Sequence, residues 1–296
     1  MIYSIYQYIK ERTFKIPLKK QSKYFEYTDE LLQYQYEIFY NYIDGDSEHE
    51  ESLTKGNDKL NRYSNVRPYY YNAINIRNKE YINASPINII NYSYFIATQG
   101  PKNKTIEDFW TMIDEKECNV IVMLCRDKEN GIEKCAEYWE EKVKMINYKI
   151  KIGKQYNYHK YMIRVINLFN ISLKKERKIY QIHFLAWPDH GVPKIDGGKI
   201  FDIFIDIINI VDKYRGNSPI VVHCSAGVGR TGTFISMYYL YKEIKKQIDD
   251  KEKVIKFNIF NLVRKLKEMR ILLVQTVVQY QFIYYFVHHL LDIINK

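Results

Sequence analysis

The sequence contains few of the residues that build disulfide frameworks, metal sites or hinges, because its 296 residues include 4 cysteines, 12 glycines and 7 prolines. Cys118, Cys125, Cys135 and Cys224 form no CxxC pair or other spacing typical of metal ligands, and they are too few for a disulfide framework. We therefore expect no metal site. We also expect a reducing, cytoplasmic location, in which the thiols stay free.

Long apolar segments are missing as well. The N-terminus lacks the basic start and apolar core of a signal peptide, and Ile2 stands where myristoylation requires glycine. The most apolar stretch, residues 271–287, contains Gln275, Gln279 and Gln281, and each of these would be costly in hydrocarbon. We expect no integral membrane segment.

The composition is that of a folded domain. Hydrophobic residues make up 46% of the chain and charged residues 27%, which excludes a disordered, collagenous or coiled-coil protein. The formal net charge of +10 favours acidic partners such as nucleic acid, anionic lipid or a phosphorylated substrate. The basic runs at 174–178 and 242–246 are interpreted as solvated faces.

Apolar patterning predicts alternating helices and strands. We expect strands at 120–125, 179–185 and 220–223, and helices at 29–43, 199–214, 230–248, 258–270 and 276–293, the first capped by Asp29. An exposed acidic loop is expected at 44–51. The alternation predicts an α/β sheet covered on its faces. The chain has no internal repeat and no Pro/Gly/Ser-rich hinge, so one domain is favoured.

Residues 220–234 carry the clearest chemical pattern, a strand followed by a loop of small residues and then a helix. Successive backbone N–H groups closed by a helix N-terminus form a cradle for an anion. Gly227 and Gly229 remove side chains that would keep a phosphate from the backbone, and Arg230 can bind two of its oxygens. The pattern predicts a site for a tetrahedral dianion.

Cys224 begins this loop, six residues before Arg230. Inward N–H dipoles and a guanidinium would favour its thiolate form over the thiol. The sulfur would then lie beneath the phosphate, placed for in-line attack on phosphorus. Cys118, Cys125 and Cys135 lack an arginine at this offset and are interpreted as core residues.

Further motifs flank the loop on both sides. In chain order they are Asn61-Arg-Tyr-Ser-Asn-Val66, Glu80-Tyr-Ile-Asn-Ala-Ser85, Phe95-Ile-Ala-Thr-Gln-Gly-Pro101, Asp108-Phe-Trp110, Ile121-Val-Met-Leu124, Lys134-Cys-x-x-Tyr-Trp139, Trp187-Pro-Asp-His-Gly-Val-Pro193 and Gln275-Thr-x-x-Gln-Tyr280. With His223-Cys-x5-Arg230, they make the sequence resemble the tyrosine-specific, cysteine-dependent protein tyrosine phosphatases. The resemblance implies an N-terminal extension over 1–22 and one α/β catalytic domain over 23–296, a highly twisted mixed β-sheet flanked by α-helices.

The resemblance also implies catalytic roles. Asp189 matches the general acid, on a mobile loop hinged at Trp187, and a positioned donor accelerates expulsion of a phenolate about 10² to 10⁴-fold. Gln275 matches the residue that holds the hydrolytic water, with Gln279 as a second partner. Thr231 resembles the hydroxyl that helps the thiolate leave again.

Substrate-binding and supporting roles are implied in the same way. Tyr63 matches the ring that stacks on the substrate phenol and makes the pocket too deep for phosphoserine, and Asn65 is placed to bond the peptide backbone. Glu129 resembles the carboxylate that orients Arg230. The remaining matched positions are the phosphate-binding Ser225, Ala226, Gly227, Val228 and Gly229 and the supporting His223 and Lys134.

Some residues depart from the family pattern. Asn65 stands where many members have aspartate, and Glu140, Tyr238 and Lys267 replace a usual proline, aspartate and arginine. Leu272 falls near a rim position where well-known members carry glycine. We expect its branched side chain to narrow the entrance and disfavour doubly phosphorylated or bulky substrates.

The resemblance implies a monomeric, metal-free and cofactor-free phosphatase that acts on phosphotyrosine in proteins. The alternatives are a phosphotyrosine-binding pseudophosphatase that sequesters substrates and, more remotely, a nucleic-acid-binding protein drawn by positive charge. Decay to a binding module usually removes the nucleophile, the arginine or the acid. Because Cys224, Arg230, Asp189 and Gln275 are all present, the enzyme is favoured.

Overall fold

The computed structural model describes residues 13–17, 25–39, 57–77, 81–89, 94–188 and 191–294. Asp189 and the expected acidic loop at 44–51 lie outside the described residues. The helices and strands, numbered in chain order, are β1 Phe14–Pro17, α1 Asp29–Phe39, β2 Ala84–Asn88, β3 Tyr94–Thr98, α2 Ile106–Glu115, β4 Val120–Met123, β5 Lys128–Glu129, β6 Ile132–Glu133, β7 Tyr148–Asn157, β8 Tyr161–Asn170, β9 Lys175–Phe184, α3 Lys199–Arg215, β10 Ile220–His223, α4 Gly229–Asp249, β11 Val254–Phe257, α5 Ile259–Met269 and α6 Val277–Ile294.

A seven-stranded mixed sheet organises the chain, in the order β2-β3-β10-β4-β9-β8-β7. Strands β3, β10, β4 and β9 run parallel, whereas β2, β8 and β7 pair antiparallel. Every residue of β4 and β10 is buried, so both faces of the sheet are covered at its centre. The expected mixed α/β sheet flanked by helices is confirmed.

Helices cover the sheet and one another. Helix α3 contacts β4 and β9, helix α4 contacts β3 and β10, and α6 lies against α4 and α1. On the face towards which His223 points, the ring of Phe109 in α2 meets the imidazole edge-on, with centroids 5.9 Å apart. This packing places the carboxyl end of β10 in the middle of the molecule, where α4 begins.

Each predicted helix and strand is present in the described ranges, with corrections to a cap, a strand boundary and one basic residue, but α2 and several strands, among them β2, β3 and β11, were not predicted. Thr28, not Asp29, caps the first helix, because its hydroxyl accepts the Leu31 N–H at 3.2 Å. Strand β9 begins at Lys175, earlier than expected, and the long strands β7 and β8 were not predicted. Within the basic run, Lys175 and Lys178 are exposed, but Arg177 is half-buried and donates to the Cys118 carbonyl at 3.0 Å.

The described part of the N-terminal extension packs on the domain. Strand β1 pairs antiparallel with β11, and its Ile16 is fully buried. None of the helices in the described ranges is long and apolar enough to cross a bilayer.

Candidate active site

The loop from Cys224 to Arg230, called the phosphate loop below, joins β10 to α4. The Cys224 side chain is almost fully buried, and its Sγ accepts hydrogen bonds from the Gly227 N–H and the Thr231 hydroxyl, both at 3.3 Å. Gly227 has φ +73, and a Cβ there would lie 2.1 Å from the Thr98 carbonyl oxygen. Only glycine fits this turn, which directs its N–H at the sulfur.

Arg230 and Glu129 form a buried, bidentate ion pair. The guanidinium donates from Nη1 to Glu129 Oε1 at 2.6 Å and from Nη2 to Oε2 at 2.8 Å. Burial opposes the charge on Arg230, but the bonds to Glu129 and the nearby Cys224 outweigh it and raise the pKa of Arg230. The carboxylate therefore fixes the plane of a permanent cation beside the sulfur.

The segment that contains Asp189 starts beside this arginine. Arg230 Nη2 donates to the Pro188 carbonyl at 2.9 Å, and the indole N–H of Trp187 donates to the Gly191 carbonyl at 3.2 Å. Trp187 is buried against Phe204 and neighbouring rings. Asp189 itself lies outside the described residues, so only the ends of its loop are located relative to Arg230.

Tyr63 stands at the side of the phosphate loop. Its hydroxyl lies 2.9 Å from Ser225 Oγ, which in turn donates to the Lys134 carbonyl at 2.9 Å, so the phenol is the donor to Ser225. Arg62 anchors the segment by donating to the carbonyls of Gly100 at 3.0 Å and Pro101 at 2.7 Å. Lys134 contacts Ser225 through its backbone carbonyl, and Asn65 is exposed.

Gln275 and Gln279 meet the phosphate loop at the start of α4. The Gln275 N–H donates to Gln279 Oε1 at 3.0 Å. A Cβ on Gly229 would lie 2.8 Å from that same oxygen and 3.2 Å from the Gln275 Cβ. The two glutamines therefore lie against the phosphate loop at Gly229, next to Arg230. The Thr231 hydroxyl contacts the Cys224 sulfur, and the Tyr63 hydroxyl contacts Ser225 of the same loop.

His223 lies beneath Cys224 and is fully buried. Its Nε2 is 2.8 Å from the Tyr138 hydroxyl, and its Nδ1 is 3.1 Å from the Cys224 carbonyl oxygen. Burial lowers the pKa of His223 to about 4, although the Cys224 carbonyl opposes this shift. The imidazole is neutral at physiological pH and serves as a hydrogen-bonding group.

Sequence reasoning missed Arg270, which supports the phosphate loop from behind. Its Nε donates to the Gly227 carbonyl at 2.9 Å and its Nη2 to the Ala226 carbonyl at 3.2 Å and to Asn83 Oδ1 at 2.7 Å. Burial lowers the pKa of Arg270 to about 10. Its position five residues before Gln275 was the available signal, but α5 carries several basic residues and nothing local distinguishes a buried one.

The other cysteines differ from Cys224 in their surroundings. Burial raises the pKa of Cys118 to about 12 and the pKa values of Cys125 and Cys135 well above the usual range. All four thiols are free. Across the described ranges, no group of three or more His, Cys, Asp or Glu side chains could hold a metal ion.

Comparisons with known proteins agree on one family. The family model for protein-tyrosine phosphatase matches residues 57–289. Tyrosine-protein phosphatase non-receptor type 20 of Rattus norvegicus is 37% identical over 236 residues, which are 77% of this chain and 53% of that protein. Tyrosine-protein phosphatase 2 of Dictyostelium discoideum is 38% identical over 220 residues, 73% of this chain and 56% of that protein.

A solved structure is similar in fold. It comes from work on the structural basis of the PTPN18 fingerprint on distinct HER2 tyrosine phosphorylation sites, and it aligns with a TM-score of 0.72 and 30% identity over 81% of this chain and 86% of that chain. The chain spans about half the length of the curated relatives described above.

Proposed function

The chain belongs to the protein-tyrosine phosphatase family, and from this premise we propose that it hydrolyses phosphotyrosine in proteins through a cysteinyl-phosphate on Cys224. One observation carries the proposal. The Cys224 sulfur accepts two hydrogen bonds at the base of a glycine-containing loop, beside an arginine whose charge and orientation are fixed by a buried carboxylate.

In the first step, the phosphate dianion binds the N–H groups of residues 225–229 and Arg230. The Cys224 thiolate attacks phosphorus in line, the bond from phosphorus to the phenol oxygen breaks, and Asp189 protonates the leaving oxygen. The role of Asp189 rests on its sequence context, Trp187-Pro-Asp189. The contact between Arg230 and the Pro188 carbonyl supports it, because it joins the phosphate-binding group to the acid's loop.

In the second step, water attacks the phosphocysteine and the thiolate leaves. Gln275, with Gln279 behind it, would hold the water, and Asp189 would accept its proton. Thr231 stabilises the departing thiolate, and its hydroxyl at 3.3 Å from Sγ supports that role. Each step uses groups of this chain, so we expect turnover to be unchanged by a metal chelator.

Specificity for tyrosine would come from pocket depth. Tyr63 is held upright at the phosphate loop by Ser225, and its ring would line a path longer than phosphoserine can span. Asn65, exposed two residues on, would bond the peptide backbone of the substrate. A pseudophosphatase that only sequesters phosphotyrosine is not supported, because the sequence retains the nucleophile, the arginine and the acid.

The proposal extends to the chain's organisation. Residues 23–296 would form the catalytic domain, and 1–22 an extension that adds β1 to its edge through β11. Phosphotyrosine proteins would be the partners of a monomeric enzyme that does not bind nucleic acid. A cytoplasmic location is supported by the four free thiols.

The experiment compares turnover of phosphotyrosine and phosphoserine peptides by the wild type, Cys224→Ser and Asp189→Ala. Cys118→Ser is the matched control, because it removes a buried thiol outside the phosphate loop. We expect wild-type and control turnover of phosphotyrosine alone, no turnover by Cys224→Ser, and a loss of about a hundredfold or more in Asp189→Ala. Micromolar phosphotyrosine binding without turnover would overturn the proposal in favour of the binding module.

A further inference from the structure

A strip of polar side chains crosses the sheet beneath the catalytic cysteine. Arg164 in β8 lies directly opposite Gln181 in β9, and His183 follows two residues later on the same face. Through β4, His183 aligns with Met123 and Met123 with His223 in β10. The register therefore connects an arginine on an outer part of the sheet with the residue that precedes Cys224.

Hydrogen bonds run along this strip without a break. Arg164 Nη1 is 2.7 Å from Gln181 Oε1, Gln181 Nε2 is 2.7 Å from the Tyr138 hydroxyl, and that hydroxyl is 2.8 Å from His223 Nε2. His223 Nδ1 then meets the Cys224 carbonyl at 3.1 Å. Gln181, Tyr138 and His223 are all fully buried, so water does not compete for these bonds.

The chemistry of the groups sets one direction for the chain. A guanidinium only donates, so Gln181 accepts through Oε1 and donates through its amide to Tyr138. The Tyr138 proton therefore points to His223 Nε2, which leaves the proton of the neutral ring on Nδ1, facing the Cys224 carbonyl. Every donor points from the cation Arg164 towards Cys224, an arrangement in which successive bonds polarise one another.

A second branch of hydrogen bonds leads from Arg164 through His183 to the Cys125 carbonyl. Arg164 Nη1 also lies 3.1 Å from His183 Nδ1, which must accept, so His183 Nε2–H donates to the Cys125 carbonyl at 2.8 Å. Burial, reinforced by the charge of Arg164, lowers the pKa of His183 to about 3, so the ring is neutral. The Arg164 guanidinium also stacks over the Trp139 ring, 4.7 Å from its centroid, which holds it in place.

We propose that Arg164 is a positioning residue for Cys224, acting through this chain of hydrogen bonds. The inference rests on the proposed function, for which Cys224 must be a thiolate below a correctly oriented loop. Arg164 contributes a fixed cation at the start of this series of hydrogen bonds. The polarised His223 N–H at its other end holds the Cys224 carbonyl and lowers the electron density next to the sulfur.

Peptide geometry explains why this carbonyl matters. The C=O and the following N–H of a trans peptide point in opposite directions. Holding the Cys224 carbonyl on the His223 side therefore turns the Ser225 N–H to the other side, where the anion binds. If the series of hydrogen bonds from Arg164 were broken, the Ser225 N–H, the first donor of the phosphate loop, would be less firmly oriented, and the surroundings of the Cys224 sulfur would change as well.

Other groups also face Cys224 and must stay constant in a test. Arg230 from α4 and Arg270 from the end of α5 act on it electrostatically, as do the buried thiols Cys125 and Cys135. None of these is changed in the variants below.

The test uses Arg164→Met, which keeps the length of the side chain but removes the cation, and Arg164→Lys, which restores a donor and a charge. Arg177→Met is the matched control, because Arg177 is a half-buried arginine in the same sheet that binds Asp114 and the Cys118 carbonyl instead. For each protein, the rate of Cys224 alkylation by iodoacetate is measured against pH, together with kcat, KM and Tm. Alkylation reads the thiolate directly and remains informative even if the peptides are not turned over.

We expect Arg164→Met to raise the alkylation midpoint by about half a pH unit or more and to lower kcat several-fold with little change in KM. Arg164→Lys should recover at least part of both effects, and Arg177→Met should lower Tm without moving the midpoint. If Arg164→Met does not fold, Gln181→Met breaks the same chain and is expected to move the midpoint in the same direction. An unchanged midpoint in a folded Arg164→Met or Gln181→Met protein, or an equal shift in Arg177→Met, overturns the inference.

Discussion

Two buried arginines hold the phosphate loop from its two sides, and their charges are compensated differently. Arg230 faces the anion site and pairs with the carboxylate of Glu129, whereas Arg270 lies behind the loop and donates to Ser85, Asn83 and backbone carbonyls. The pKa of Arg230 is raised, whereas burial lowers that of Arg270 to about 10.

The difference separates two tasks. The hydrogen bonds of Arg230 are to the Glu129 carboxylate and to the backbone carbonyls of Leu124 and Pro188. Because the guanidinium is also proposed to bind the phosphate, its removal would change the charge that meets the substrate. The bonds of Arg270 are to neutral oxygens that belong to the fold, so its removal mainly leaves buried acceptors unsatisfied, although it also removes a cation that acts on Cys224 from behind the loop. We expect the Arg230 side to govern catalysis and the Arg270 side to govern stability.

The largest effect is expected for Arg230→Met, which should lower kcat/KM for a phosphotyrosine peptide by about 10²–10³-fold or more, because a preorganised donor to the developing charge is lost. It also leaves the buried Glu129 carboxylate, to which the Arg126 N–H still donates, without its cation, which costs ~3–5 kcal/mol of stability. Steady-state kinetics and urea unfolding measure the two effects. The double variant with Glu129→Gln should regain stability but not activity, and kcat/KM within tenfold of the wild type would contradict this assignment.

For Arg270→Met, the expected loss is mainly in stability, ~2–4 kcal/mol, because several buried acceptors lose their donor at once. We expect kcat/KM to fall about tenfold, since the carbonyls of Ala226 and Gly227 become free to move. Urea unfolding and peptide kinetics again provide the measurements. A stable Arg270→Met protein as inactive as Arg230→Met would show that the two sides do not divide the tasks.

Low pH should reduce the stability of the protein through His223, which lies on the inner side of the phosphate loop. Its folded-state pKa of about 4 lies below the usual value of 6.5, so below pH 6.5 the unfolded chain takes up a proton that the folded chain does not. The contribution of the neutral His223 to the free energy of unfolding is therefore complete above pH 6.5 and falls as the pH drops towards 4, with a loss of about 2 kcal/mol at pH 5.

Urea unfolding at pH 7, 6 and 5 tests this dependence. His223→Gln should make the pH profile about half as steep, because His183 remains, whereas Arg270→Met should keep the wild-type slope at lower overall stability. His183, with a pKa of about 3, adds to the same slope. A wild-type stability that stays constant from pH 7 to 5 would contradict the argument.

The same contrast explains what sequence reasoning could find. The phosphate loop was predictable because its chemistry is local: Cys224, Gly227 and Arg230 lie within seven consecutive residues, and the strand and helix around them are strongly patterned. Roles drawn from the family resemblance also reached Glu129, Tyr63 and Gln275, which the fold brings to the loop from distant segments. Arg230 and its partner Glu129 are therefore both predictable from the sequence.

Arg270 and Arg164 were not predicted, because their importance depends on burial and register. Arg270 ends a helix with several basic residues, and Arg164 stands in a strand whose inner and outer faces are fixed only by pairing with β9. The strands β7 and β8 escaped for a related reason. Much of β7 is exposed and rich in lysine, so it lacks the apolar run by which buried strands are recognised.

The smallest effect is expected at Leu272, in the segment that leads from Arg270 to Gln275. Leu272 has φ +59, a left-handed conformation that costs a branched residue about 1 kcal/mol and that glycine adopts freely. Leu272→Gly removes this strain but adds conformational freedom to the unfolded chain, so stability should change by ~1 kcal/mol or less.

The same variant tests the entrance to the site. Opening the rim should raise kcat/KM several-fold on doubly phosphorylated peptides and leave kcat/KM on singly phosphorylated peptides unchanged. Lys251→Gly, at φ +58 on an exposed turn, is the control for backbone strain alone and should alter kcat/KM on neither kind of peptide. If Leu272→Gly has the wild-type kcat/KM on doubly phosphorylated peptides, Leu272 does not narrow the entrance, and the segment after Arg270 belongs with the stabilising side of the loop alone.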